Sequence, residues 1–304
     1  YKAVMGIEIN PGLDKSDFKI VYSPQHGADN IPVRTCLKRL GYDIVPVLAQ
    51  CAPDPDYTNT KSPNPEVDAS YELAIKLAKE VDADVVAITD PDGDRLGVVA
   101  KHNGEYVLMS GNQSAAVYLE YILSQRKEKG TLPDNAVMYN TIVTSDLGEL
   151  VARNYGVDVE KTLTGFKFIG DKIRKYEKTH EKQFIFGYEE SYGCVVEDFV
   201  RDKDAVQAVL LAAECGNYYK KQGKDLIDVL NELYAKYGTF KESQIALAKA
   251  GAAGAARIKE MMDTLRQDKP TEIGGVKVVL SEDYATSERS DGTTIDLPKS
   301  NVLK

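Results

Sequence analysis

The chain has 304 residues, 43% of them hydrophobic and 28% charged, an ordinary globular composition long enough for two or three domains with separate cores. Its formal net charge of −9 disfavours wrapping a nucleic acid, yet leaves an anionic small substrate open, because a few local cations can hold a phosphate on an acidic protein. No apolar run approaches the ~18 residues of a membrane span. Cys36, Cys51, Cys194 and Cys215 lack the C-x-x-C spacing of a zinc site and form no disulfide framework, which fits a reducing cytoplasm. The opening stretch from Tyr1 to Asn10 carries no signal-peptide pattern, and the missing initial Met reads as the mark of a fragment.

Short β-branched runs alternate with amphipathic stretches, so the fold class is α/β with crossover helices. Lys19 to Tyr22 reads as a strand, Ser23 to Gly27 as a turn, and the helix that follows ends at Gly41. Tyr42 to Leu48 is the next strand, Ala52 to Pro65 a Pro-rich loop, Glu66 to Val81 a helix and Asp84 to Ile88 a third strand. An acidic turn and an apolar return, Leu96 to Ala100, complete this unit. A second unit repeats the architecture: a helix from Gly111 with Tyr118, Tyr121 and Ile122 on one face, then a strand over Val137 to Val143 and a helix from Ser145. It continues with a strand over Phe184 to Gly187 that enters a polar loop, a helix through Ala205, Val209 and Ala213, and another helix reaching Tyr237. From Phe240 a strand, an Ala/Gly-rich helix over Ala252 to Leu265 and a strand over Val276 to Leu280 are expected. The corresponding domains are 1–109, 110–238 and an incomplete third over 239–304. Gly251 to Ala256 reads as a small-residue helix face rather than a nucleotide loop, since it keeps only two glycines and follows no clear parallel strand.

Asp90-Pro91-Asp92-Gly93-Asp94-Arg95 is the most specific signal. Three carboxylates at alternate positions, turned by Pro91 and Gly93, can converge on one hard cation that prefers oxygen, and like charges so close are hard to keep ionised without one. A calcium-binding helix-loop-helix is excluded, because it needs Gly and Glu where this chain has Arg95 and Lys101. A phosphatase of the haloacid dehalogenase type also sets Asp-x-Asp after a strand, but continues differently from Gly93-Asp94-Arg95, and stays as a minor alternative. Gly187-Tyr188-Glu189-Glu190-Ser191-Tyr192-Gly193 ends a strand, and in extended backbone Glu189 and Ser191 can point the same way to read adjacent sugar hydroxyls. Arg201-Asp202-Lys203-Asp204 sets two cations just before a helix, where a phosphate could meet them.

Together these segments resemble the α-D-phosphohexomutase superfamily, which includes phosphoglucomutase, phosphomannomutase and phosphopentomutase enzymes, over most of Lys19 to Tyr237. The resemblance implies that Asp90, Asp92 and Asp94 hold Mg²⁺ and that Arg95 supports phosphoryl transfer beside them. It implies further that Glu189 and Ser191 bind sugar hydroxyls and that Thr164, Gly165 and Lys167, in Thr164-Gly165-Phe166-Lys167, line the substrate. Lys203 would be a general acid or base near the transferred phosphate, with Arg201 binding substrate close by. His26, in Ser23 to Gly27, is as readily a turn residue as a catalytic one. The implied activity is interconversion of hexose 1-phosphate and 6-phosphate through a phosphoserine and glucose 1,6-bisphosphate, with a sugar phosphate as partner and neither nucleic acid nor membrane. The family's phosphoserine loop, Thr-Ala-Ser-His-Asn-Pro, and its phosphate loop, Arg-Pro-Ser-Gly-Thr-Glu-Pro, are absent from the 304 residues, so the chain by itself is expected to be inactive. Ser62, in Lys61-Ser62-Pro63-Asn64-Pro65, is a near-decoy for the nucleophile. Phosphopentomutase and phosphomannomutase specificities, a stand-alone sugar-phosphate binding module and a metal-dependent phosphatase are the alternatives.

Overall fold

A computed structural model describes residues 1–245 and 247–304 and divides them into two compact units, Tyr1–Phe240 and Lys241–Lys304. The first unit holds two α/β/α layers. After a short helix α1 (Lys2–Met5) come β1 (Lys19–Ser23), α2 (Asn30–Leu40), β2 (Asp43–Pro46), α3 (Glu72–Val81), β3 (Val85–Thr89), β4 (Leu96–His102) and β5 (Glu105–Met109). Their sheet has the order β2-β1-β3-β4-β5, parallel through β2, β1 and β3 and antiparallel beyond. The second half runs α4 (Gly111–Glu128), β6 (Ala136–Thr141), α5 (Leu147–Asn154), β7 (Asp158–Thr162), α6 (Phe166–Thr179), β8 (Gln183–Tyr188), β9 (Cys194–Val195), α7 (Ala205–Lys220) and α8 (Leu226–Tyr237). Its sheet order is β7-β6-β8-β9, parallel except for β9. The two mixed sheets are built alike, as the repeated pattern of apolar runs led one to expect.

β1 and β3 are apolar almost without interruption because both faces of the sheet are covered. Ile20, Tyr22, Val85 and Ala87 face one core; Val21, Val86 and Ile88 face another, beneath α3. The first of these cores is continuous with that of the second half. Helix α7, which leads away from Lys203, packs on α2, β3 and β4 of the first half as well as on β9 of its own. Thirteen of its sixteen residues are buried, so it has no solvent stripe. An added Cβ at Gly216 would lie 2.7 Å from the Phe18 ring, which shows how closely helix and first half approach.

Helix starts follow their caps. Ser110 and Gln113 form a reciprocal capping box on α4, and the Asp204 carboxylate accepts from the N–H groups of Val206 and Gln207 at the start of α7. Gly41, at φ +93°, ends α2.

Several sequence expectations shift. The strand over Tyr42 to Leu48 shortens to β2 and gives way to a 3-10 turn, Leu48–Gln50. The helix from Glu66 begins as a 3-10 turn, Asp68–Tyr71, before α3, because the Tyr71 hydroxyl and the Ser70 hydroxyl bind Pro65 and Asn64 carbonyls and hold the loop against it. The strand over Val137 to Val143 is β6 and stops at Thr141. Strand β7 and helix α6 were not read from the sequence at all: β7 is an edge strand, Asp158-Val159-Glu160-Lys161-Thr162, only one of whose residues is buried.

The second unit contains α9 (Gly251–Gln267) and two small hairpins, β10 (Glu272–Ile273) with β11 (Val276–Lys277) and β12 (Glu282–Asp283) with β13 (Glu288–Arg289). The expected strand over Val276 to Leu280 is thus two residues long, and the described residues of 240–250 form none.

Candidate active site

The acidic and polar motifs each leave the C-terminal end of a strand in the parallel part of its sheet, where α/β sheets present their loops. The acidic loop follows β3 and the polar loop follows β8, and these strands hold the same place in their sheets, between a parallel and an antiparallel neighbour. Strand β8 carries one extra residue, Ile185, between the pairs Val137–Phe184 and Met138–Phe186, a bulge that re-aims its end.

Asp90 is fully buried, and its Oδ1 accepts from the N–H groups of Asp94 and Arg95, both at 3.0 Å. Its Oδ2 takes the Arg95 Nε at 2.6 Å, while the other end of that guanidinium meets Glu66 at 3.0 Å and Asn64 at 3.1 Å. Arg95 is therefore a brace that ties the acidic loop to the Pro-rich loop. Burial pulls the guanidinium down, but Asp90, Asp94 and Glu66 outweigh it and the net shift is upward. Asp92 is exposed and Asp94 half-buried, and one oxygen from each of Asp90, Asp92 and Asp94 lies within 4.8 Å of the others. Three carboxylates converging in this way suit a hard divalent cation.

The loop stands on the turn after β1. Ala28 N–H donates to the Pro91 carbonyl at 2.9 Å, and Gly27 leaves no room for a side chain, since a Cβ there would sit 2.4 Å from Pro91 Cα. Gln25 and His26 take positive φ values, +48° and +65°, to make this approach. The His26 Nδ1 is bonded to the Ala52 carbonyl at 2.7 Å, a turn-holding contact. Asp29 lies behind the acidic loop with its carboxylate against Gly93. Burial, and then the carboxylates of Asp204, Asp90, Asp92 and Asp94, push its carboxyl up to about 7.

The polar loop after β8 is a tight turn rather than extended backbone: Glu189 N–H donates to the Gly193 carbonyl at 2.9 Å and Tyr192 has φ +69°. Glu189 and Ser191 accordingly do not stand side by side as alternate strand residues. Glu189, 5% exposed, accepts from Gly165 N–H at 2.6 Å, and Gly165 sits at φ +115° ahead of α6. Burial raises the Glu189 carboxyl, partly offset by that N–H and by Lys203. Ser191 is half-buried; Thr164 and Lys167 are exposed, Lys167 lying over the Phe168 ring.

Lys203 joins the two motifs. Its amine is 2.9 Å from Asp94 Oδ2 and 3.9 Å from Glu189 Oε2, and lies 5.4 Å above the Phe166 ring. Burial lowers the ammonium, but Asp94 foremost, then Asp202 and Glu189, raise it overall, so Lys203 is a cation at neutral pH. Backbone bonds close the same seam: Leu96 N–H to the Tyr192 carbonyl at 2.9 Å and Ala205 N–H to the Gly93 carbonyl at 3.0 Å. Asp94, Glu189, Gly165 and Lys203 are thereby gathered into one place. Arg201 is not among them: its guanidinium turns to Glu177 at 2.6 Å and to the Asp198 carbonyl, and its backbone packs on Gly170 of α6. Ser62 stays in the Pro-rich loop, where its carbonyl receives the Thr60 and Ser70 hydroxyls. Sequence reasoning missed Asp29, Asn64, Glu66 and Phe166. Asp29 reads as a plain helix start, and nothing in the Pro-rich loop points across to Arg95.

The profile of phosphoglucomutase/phosphomannomutase α/β/α domain II matches residues 6–104, and that of domain III matches residues 110–237. The chain belongs to the phosphoglucomutase/phosphomannomutase family. Within this family, a phosphoglucomutase of Staphylococcus haemolyticus is 36% identical over 299 residues, covering 96% of this chain and 54% of the relative. The chain thus spans about half the length of the curated relatives it matches. The open form of the phosphoglucomutase parafusin from Paramecium aligns along 100% of this chain and 51% of its own, at 17% identity and a TM-score of 0.62, a likeness of fold. An Aspergillus fumigatus N-acetylphosphoglucosamine mutase bearing S69A, solved with glucose 1,6-bisphosphate, aligns over 88% of this chain and 56% of its own at 15% identity and a TM-score of 0.53. Among the described residues no helix is long and apolar enough to cross a membrane.

Proposed function

We propose that this chain supplies the metal-binding and sugar-binding domains of a phosphosugar mutase that interconverts glucose 1-phosphate and glucose 6-phosphate. The observation that supports it most is the position of Lys203, whose amine lies within reach of both Asp94 of the acidic loop and Glu189 of the polar loop. A cation held there faces a phosphoryl group bound beside the metal loop while the polar loop holds the sugar. The phosphoglucomutase kinship and the bisphosphate bound by a fold relative favour the same substrate class.

Asp90, Asp92 and Asp94 would hold Mg²⁺, and their all-oxygen, convergent donor set fits it. Bound there, the ion would neutralise charge spread over the phosphoryl oxygens. The chain's own side chains then divide the work. Arg95 keeps Asp90 oriented. Lys203 adds a second positive charge and, being protonated, donates a proton rather than accepting one. Glu189 and Ser191 receive sugar hydroxyls, and Gly165 N–H fixes the Glu189 carboxylate. Lys167 and Thr164, both exposed, meet the ligand from the α6 side, whereas Arg201 must release Glu177 before it can bind substrate. The phosphoserine donor would come from a loop outside these residues.

The test is conversion of glucose 1-phosphate to glucose 6-phosphate with Mg²⁺, alongside mannose 1-phosphate and ribose 1-phosphate as competitors. The 304-residue chain alone is expected to give no turnover. In a polypeptide of the relatives' full length, Asp92→Ala and Glu189→Gln are each expected to cut turnover about 100-fold or more. Turnover by the chain alone, or release of inorganic phosphate in place of isomerisation, would contradict the proposal.

A further inference from the structure

We propose that Asp29 is a positioning residue of the metal site, its carboxylate backing the acidic loop at Gly93 and adding negative charge that a bound cation would answer. The inference rests on reading Asp90, Asp92 and Asp94 as a cation site. It is carried by a second observation, independent of those three residues. Asp29 is 5% exposed, and its Oδ2 is sealed from solvent with no hydrogen-bond partner among the described residues. It sits at the start of α2, yet its side chain caps none of the helix N–H groups. A buried carboxylate oxygen without a partner is costly, and this one also faces carboxylates of its own sign.

Packing does not explain the charge. An Asn of the same shape would fill the space beside Gly93 without the repulsion. That space is strictly shaped: a Cβ on Gly93 would lie 2.6 to 2.8 Å from the Asp29 carboxylate atoms, and the φ of +76° already favours glycine. Gly93 and Asp29 are therefore fitted to one another, the carboxylate lying against the loop that carries the three converging oxygens. Asp29 does not belong to the group whose oxygens lie within 4.8 Å of one another, so it backs the three ligands rather than joining them. A divalent ion held on the loop offers what the Asp29 carboxylate lacks, an opposite charge close by. Partners of this kind orient a metal site from behind its ligands and typically change affinity about 10- to 100-fold when removed.

The experiment is titration of the 304-residue chain with Mn²⁺, followed by electron paramagnetic resonance, for the unsubstituted protein and for Asp29→Asn, Asp29→Ser and Asp92→Ala, each checked for fold by circular dichroism. Two Asp29 variants guard against one failing to fold. The expected result is affinity weakened about tenfold by either Asp29 variant and more strongly by Asp92→Ala. A folded Asp29 variant that binds Mn²⁺ like the unsubstituted chain, while Asp92→Ala loses it, overturns the role of Asp29 and leaves the metal loop standing. No binding by the unsubstituted chain, or binding untouched by Asp92→Ala, overturns both.

Discussion

Asp94 and Asp29 are carboxylates in one neighbourhood with different fates. Asp94 is pushed upward by burial but answered by Lys203 at 2.9 Å, whereas Asp29 makes no ion pair among the described residues and is raised by burial and by carboxylates. Removing the Lys203 charge therefore strands Asp94 and Glu189 together. Lys203→Met is expected to destabilise the fold by about 1–2 kcal/mol in urea unfolding, and Asp94→Asn in that background to recover part of the loss, a coupling that independent sites would not give. Asp29 carries a pH dependence of opposite origin. Its folded carboxyl lies near 7, above the ordinary carboxylate value of 3.8, so the stability it contributes is full below that ordinary value and is lost as pH rises through about 7. Without metal, Asp29→Asn should therefore stabilise the chain at pH 8, on the order of 2 kcal/mol, and much less at pH 5. Equal effects at both pH values would contradict the charge account. A gain in metal-free stability together with a loss of Mn²⁺ affinity would mark Asp29 as kept for the ion rather than for packing.

At the scale of elements, the loops are held by contacts that only small residues permit. Gly111 opens α4, and a Cβ there would lie 2.3 Å from the Glu190 carbonyl oxygen and 2.7 Å from Tyr192 nitrogen, both backbone atoms that cannot swing aside. Gly111→Ala is expected to cost about 1–3 kcal/mol in urea unfolding. Gly193 leads to a different result, since its added Cβ would meet the flexible stem of Lys203 at 2.0 Å. Gly193→Ala should displace the amine from Asp94 and weaken sugar-phosphate binding more than it lowers stability, as calorimetry beside thermal unfolding would reveal. The apolar strands and their helices were legible in the sequence because burial on both faces writes an unbroken run, as in Val85-Val86-Ala87-Ile88. Edge strand β7 was not, because its outward Glu160 and Lys161 serve ion pairs rather than a core: Burial acts to raise the Glu160 carboxyl, but Lys172, Tyr176 and Lys182 outweigh it and hold it down to about 2. The acidic loop stood out through three carboxylates in five residues. What could not be read was convergence across distant chain, such as Lys203 meeting Asp94, or Arg95 meeting Asn64 and Glu66.

Across the first unit, α7 is the wall shared by both sheets. Glu214 on this helix accepts from the N–H groups of Ile9 and Asn10 at 3.1 and 2.5 Å, and Gly216 lies against Phe18. The acidic loop and the polar loop are consequently parts of one packed body, Tyr1–Phe240, rather than two hinged pieces. Residues 1–240 are expected to unfold in one transition, with the amides of α7 among the most slowly exchanging, and Gly216→Ala should lower that single midpoint instead of splitting it.

The most direct test of the account is linkage between its two loops. Mg²⁺ would be titrated into the chain by calorimetry with and without saturating glucose 1,6-bisphosphate, corrected for the ion bound by the free sugar, and repeated with Glu189→Gln. One shared site predicts that the bisphosphate tightens Mg²⁺ binding about tenfold or more and that Glu189→Gln, whose side chain is remote from the metal ligands in sequence, abolishes the tightening. Mg²⁺ affinity that is the same with and without the bisphosphate would contradict it.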